Sequence, residues 1–167
     1  MRSGVVKTFC WATQVNSSVD IFKLLDDGEI RIGDRPLLDI VADAEHEHVL
    51  AERQLRIANG TPPDEANSFL SDYQYLRPTP RFRRNLWDTP EPTAANGFEI
   101  DADDPTRNMA TLLGCTCGII DCWFLLATIT ITPELVTWSN FRQFHKDWKY
   151  ELEFRFDHNQ YVGELNL

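Results

Sequence analysis

Residues 122–141 read CWFLLATITITPELVTWSNF, and the fold class follows from them. Two runs rich in β-branched and aromatic residues, 122–132 and 135–141, flank Pro133-Glu134. That pattern predicts a β-hairpin closed by a two-residue turn. On the first run Trp123, Leu125, Ala127, Ile129 and Ile131 share one face. Phe124, Leu126, Thr128, Thr130 and Thr132 share the other, so the sheet is apolar on both sides near Cys122 and half polar near the turn. Downstream, YELEFRF at 150–156 alternates as a third strand, with Tyr150, Leu152, Phe154 and Phe156 inward. Asp157 and Gln160 then form a capping-box pattern, and Tyr161 and Leu165 at i, i+4 predict a short C-terminal helix.

Upstream of the hairpin, 5–12 and 19–25 have strand-like composition and length. Asp26-Asp27-Gly28 marks a turn, 29–32 a short strand, and Gly33-Asp34 a second turn. A long helix is expected next, with Pro36 in its first turn and an apolar stripe of Leu37, Val41, Ala44, His48, Ala51, Leu55 and Ala58. Asn59-Gly60 closes it and Pro62-Pro63 prevents continuation. Residues 61–108 hold seven of the nine prolines and read as a long connection, with one helical turn near 64–75 anchored by Phe69, Tyr73 and Leu76. The class is α+β: a mainly antiparallel sheet, one long helix, a proline-rich loop region and a short C-terminal helix. Residues 1–167 read as one domain.

With 26 acidic and 16 basic residues the chain carries −10, unevenly spread. Residues 26–52 hold a net −7 and residues 91–104 a net −5, which leaves +2 for everything else. Such a field repels phosphate ligands; it reads either as a solvated surface that keeps the chain soluble or as a field that attracts a basic protein partner. A basic stretch, Arg77, Arg81, Arg83 and Arg84 with Phe82 and Trp87, has the ingredients of a single-strand grip. It is short, broken by Pro78 and Pro80, and set in an acidic chain, so internal pairing with the acidic stretches is expected and nucleic acid is not. No window has the run of uncharged apolar residues that a spanning helix needs, and Lys7, Asn16 and Asp20 interrupt any signal-peptide pattern. The expected location is the cytoplasm, without a membrane partner.

Three of the four cysteines, Cys115, Cys117 and Cys122, fall within eight residues. Thiolates are soft anions that fit tetrahedral zinc at about 2.3 Å. His145, just beyond the strand paired with the one that begins at Cys122, is the candidate fourth ligand of a Cys₃His site. Against this stands the plainer expectation of buried structural thiols with no cofactor, and no neighbouring base activates a redox thiolate. Glu45 and His48 have a Glu-x-x-His spacing, but carboxylate-bridged sites need two such motifs. His46 and His48 point about 200° apart on a helix and cannot share an ion, so both read as solvated. Glycine-rich phosphate loops, Gly-x-Ser-x-Gly and His-Glu-x-x-His are absent from the sequence, and the reading is against an enzyme.

The C-terminal third carries a longer pattern: Leu112-Leu113-Gly114-Cys115-Thr116-Cys117-Gly118, Cys122-Trp123, and Val136-Thr137-Trp138-Ser139-Asn140-Phe141-Arg142-Gln143. It continues through His145, Trp148, Tyr150, Phe154, Phe156, Gln160 and Tyr161. In these residues the chain resembles a bacterial protein family without an assigned activity, with weaker similarity back to about Ile30. Residues 1–27 fall outside the likeness. The resemblance therefore implies no function. Phe124 and Phe144 stand where that family has proline, and Lys146 stands where it has arginine, keeping the charge but losing the bidentate fork.

Two functional expectations result. The first is a non-enzymatic binding module of immunity or inhibitor type, in which Asp39, Asp43, Glu47, Glu99, Asp101, Asp103 and Asp104 meet a basic protein partner. The alternative is a zinc protein whose Cys115, Cys117, Cys122 and His145 hold the metal, in a structural role before a catalytic one.

Overall fold

The structure is a computed structural model and describes residues 19–87, 106, 108–119 and 122–166. The strand expected over 5–12, Cys10 and the acidic stretch 91–104 lie outside those residues.

At the N-terminal end β1 (Phe22–Leu24), β2 (Ile30–Ile32) and β3 (Arg35–Pro36) form a three-stranded antiparallel sheet, with Phe22 opposite Ile32 and Leu24 opposite Ile30. The turn between the first two needs glycine twice over. Gly28 has φ +93°, and a Cβ there would stand 2.2 Å from the Leu76 carbonyl oxygen.

Helix α1 (Leu37–Ala58) runs 22 residues, about 33 Å at 1.5 Å per residue. Pro36 is its N-cap, one position earlier than expected, and no side chain caps it from there. The Tyr75 hydroxyl instead accepts the Leu38 N–H at 3.3 Å, satisfying one of the exposed first-turn donors. At the other end the Asn59, Gly60 and Thr61 N–H groups return to the Leu55, Ile57 and Arg56 carbonyls. The inward stripe differs from the expected one. Leu37, Ile40, Val41 and Glu45 are buried, and the line continues through half-buried His48, Val49, Glu52 and Arg56. Leu55 is 57% exposed and Ala51 and Ala58 face solvent, because polar pairing rather than apolar packing holds the C-terminal half of the helix.

The region expected as connection contributes two elements. Turns occupy 63–71; β4 (Tyr73–Tyr75) and α2 (Pro80–Asn85) follow, the latter capped by Thr79 Oγ1 on the Phe82 N–H at 3.2 Å. Tyr73 and Leu76 anchor the segment as expected, whereas Phe69 is 53% exposed. Among the described residues Arg83 is used internally, on the Pro78, Glu164 and Leu165 carbonyls.

A five-stranded antiparallel meander, in the order β4-β5-β6-β7-β8, follows from β5 (Ala110–Cys115), β6 (Leu125–Ile131), β7 (Leu135–Gln143) and β8 (Phe154–Asp157). The expected hairpin is β6–β7: Ile131 faces Val136, and the Thr132 N–H donates to the Leu135 carbonyl across Pro133-Glu134 at 2.9 Å. Strand β6 begins at Leu125, not Cys122, and β8 begins at Phe154, not Tyr150. The main core takes Trp123, Leu125 and Ala127, while Phe124 and Leu126 join Met109 in a separate small cluster. Helix α3 (His158–Leu165) starts from Asp157, whose carboxylate accepts the Gln160 N–H at 2.9 Å. Gln160 does not complete the capping box. Its side-chain amide grips both backbone groups of Phe22, at 3.2 and 2.5 Å, and ties α3 to β1. Phe22, Trp138, Phe156 and Tyr161 pack ring on ring between the two sheets and α3. Among the described residues no helix is long and apolar enough to cross a membrane.

Candidate metal centre

Strand β5 delivers Cys115 to its end, where it lies opposite Tyr73 and is 1% exposed. The Gln74 side-chain amide donates to the Cys115 carbonyl at 2.6 Å, and the Thr116 N–H donates to the Asp72 carbonyl at 3.2 Å. The chain then reverses: the Gly118 N–H returns to the Cys115 carbonyl at 3.1 Å, with Gly118 at φ +78°. This turn puts Cys117 at the surface and aims the Ile119 N–H at its sulfur, 3.4 Å away. Cys122 is half-buried, its N–H on the Ile119 carbonyl at 3.2 Å. The three Sγ atoms lie within 4.8 Å of one another.

The local electrostatics push two of the thiols in opposite directions. The Cys115 thiol and the Ile119 N–H lower the Cys117 pKa. Hydrogen bonds to Cys115 and then Cys117 push the Cys122 thiol up to about 12. Without a cation the Cys122 thiol resists ionisation in this way; a dication would draw its proton off. Tetrahedral zinc with bonds of about 2.3 Å spaces its sulfurs about 3.8 Å apart, which the cluster accommodates.

His145 is not in this group of donor atoms. Its ring sits edge-on to Phe124 and Phe144, with centroids 6.2 and 5.0 Å away. The reason is where the strand stops: β7 ends at Gln143 and residues 144–145 turn, so His145 leaves the strand's alternation, which would otherwise have set it on the core face with Gln143 and Leu125. Among the described residues the centre is therefore Cys₃.

The two histidines of α1 stay away from it. His46 is exposed, and His48 stacks on Trp148 at 5.4 Å with its Nε2 3.1 Å from the Lys149 carbonyl. Just before them, Glu45 points inward and is fully buried. Its Oε1 accepts the Tyr73 hydroxyl at 2.7 Å and also the Tyr150 hydroxyl, while Oε2 has no hydrogen-bond partner among the described residues. Burial raises its pKa, opposed by nearby Ser71, Tyr150, Tyr73 and the His48 charge. The sequence signal for this residue was its place four beyond Val41 and eight beyond Leu37, on the inward line of the helix.

Of the acids expected to meet a partner, Asp39, Asp43 and Glu47 are exposed and spaced four apart along α1. Asp43 engages Arg35 at 2.7 Å. Other charge from 26–52 is spent inside the chain: Glu29 on Arg31 at 2.5 Å, and Glu52 on Lys146 at 2.7 Å and Arg56 at 3.4 Å. The Lys146 hydrogen bond is the main cause of a lowered Glu52 pKa. Glu99, Asp101, Asp103 and Asp104 lie outside the described residues. Comparison with family models, curated proteins and solved structures returned no match.

Proposed function

We propose that the chain binds one thiophilic dication, zinc foremost, through Cys115, Cys117 and Cys122. What supports this reading is the convergence of three sulfurs within 4.8 Å, one of them already accepting a backbone N–H. Amide-to-sulfur bonds stabilise a thiolate, the form that a metal requires. The role is structural. The metal would clamp the end of β5 to the approach to β6, whose described residues are turns and bends, and its binding free energy would add to folding. Protein purified without chelator should carry about one zinc per chain, and chelator should lower its melting temperature. Cys117→Ser and Cys122→Ser should each abolish the metal. Metal-free protein whose melting ignores both zinc and chelator would overturn the proposal.

The exposed line of Asp39, Asp43 and Glu47 favours a second reading, in which that face of α1 meets a basic protein as an immunity protein meets its target. Neutralising the three acids should slow association with a partner captured from the native cell, most strongly at low salt. Unchanged association rates would remove it.

A further inference from the structure

We infer that the same sulfur cluster is an oxidant-responsive site in which Cys117 and Cys122 close a disulfide while Cys115 stays a thiol. The inference goes beyond metal binding and does not need it, since it concerns the reduced, metal-free cluster.

The three sulfurs are held unequally. Cys115 is buried at a strand end and pinned by its pairing to Tyr73, by the Gln74 bond to its carbonyl and by the turn that follows. It neither meets a dissolved oxidant first nor moves readily. Cys117 is exposed, with the Ile119 N–H directed at its sulfur. Cys122 is half-buried and precedes β6, outside any strand. A disulfide needs its sulfurs about 2.05 Å apart. The sulfurs must therefore close from within 4.8 Å, and the residue free of a strand ladder closes that gap at the lower cost. An accessible thiol beside a resolving thiol is the arrangement found in redox-sensing cysteines.

With hydrogen peroxide as oxidant the chemistry balances. The Cys117 thiolate sulfur attacks one peroxide oxygen and the O–O bond breaks. The departing hydroxide takes a proton and becomes water, which leaves Cys117 as a sulfenic acid. The Cys122 sulfur then attacks the Cys117 sulfur and the S–O bond breaks. The Cys122 proton leaves with the hydroxyl as a second water. Two thiols lose two electrons, and one peroxide is reduced to two waters.

The experiment uses the full chain with Cys10→Ser, reduced and metal-free, treated with equimolar hydrogen peroxide. The intact mass should fall by two hydrogens. Alkylation after denaturation should then label Cys115 but neither Cys117 nor Cys122. With Cys122→Ser added, oxidation should stop at a sulfenic acid that dimedone captures on Cys117. A Cys115–Cys117 link, or oxidation no faster than in the urea-unfolded chain, would overturn the inference. A chain that forms the 117–122 disulfide yet binds no zinc sinks the metal proposal alone. A chain that binds zinc but forms no such link sinks this one alone.

Discussion

Replacing Glu45 by Gln isolates what a buried carboxyl does to the stability of this fold. Gln keeps the volume and the oxygen that accepts the Tyr73 and Tyr150 hydroxyls, and it removes the ionisation. The wild-type carboxyl is fully buried and its pKa is raised above 4.5, with desolvation the largest cause. Between 4.5 and the raised value, the folded state holds a proton that the unfolded state has released. Stability therefore falls as pH rises through that window and levels off above it. Below 4.5 both states are protonated and this contribution is fully present. Within the window wild type should lose about 1.4 kcal/mol per pH unit relative to Glu45→Gln. At roughly 2–4 °C per kcal/mol for a chain of this size, that is about 3–6 °C per unit. The Gln amide takes the place of Oε2, which has no partner among the described residues, so the offset between the two curves carries either sign; the slope does not. The assay is paired thermal melts from pH 4 to 8 at constant ionic strength. Parallel melting-temperature curves would mean that the folded state binds the Glu45 proton no more tightly than the unfolded state, and the reasoning would fail.

Trp138→Ala should cost about 3–5 kcal/mol by urea denaturation, because the indole is fully buried against Phe22, Phe156 and Tyr161 and donates to the Tyr161 hydroxyl at 3.1 Å. A loss under 1 kcal/mol would contradict its central place. Gly28→Ala should destabilise by more than the roughly 1–2 kcal/mol that left-handed backbone alone costs an L-residue, since its Cβ would meet backbone at 2.2 Å and φ is +93°. Gly60→Ala, with open space at the Cβ, is the control for φ alone.

Where physics is local, the sequence was sufficient. Pro133-Glu134 between two β-rich runs specified the hairpin, Asp157 specified the start of the last helix, and Asn59-Gly60 specified the end of the long one. Each depends on a few adjacent residues and the backbone angles they prefer. Strand β5 escaped because it is buried along nearly its whole length, so its residues do not alternate and no period marks them. Strand β4 escaped because three residues make no pattern; its pairing to β5, some 40 residues away, is what makes it a strand. The metal candidates show the same division. Close spacing alone announced Cys115, Cys117 and Cys122, and the turn at Gly118 brings them together. His145 depended on where β7 ends: the chain turns after Gln143, and the His145 ring lies against Phe124 and Phe144 and outside the group of sulfurs.

What the amino-acid sequence determined by itself is the α+β class, the hairpin, the helix ends and the cysteine cluster, since these rest on propensities and contacts close along the chain. Only the tertiary structure decided that Glu45 is buried between two tyrosines, 28 and 105 positions away, that Glu52 pairs with Lys146, and that His145 lies apart from the thiols. Burial and partnership for a polar side chain depend on which distant segments pack against it, and hydrophobic periodicity does not encode that choice.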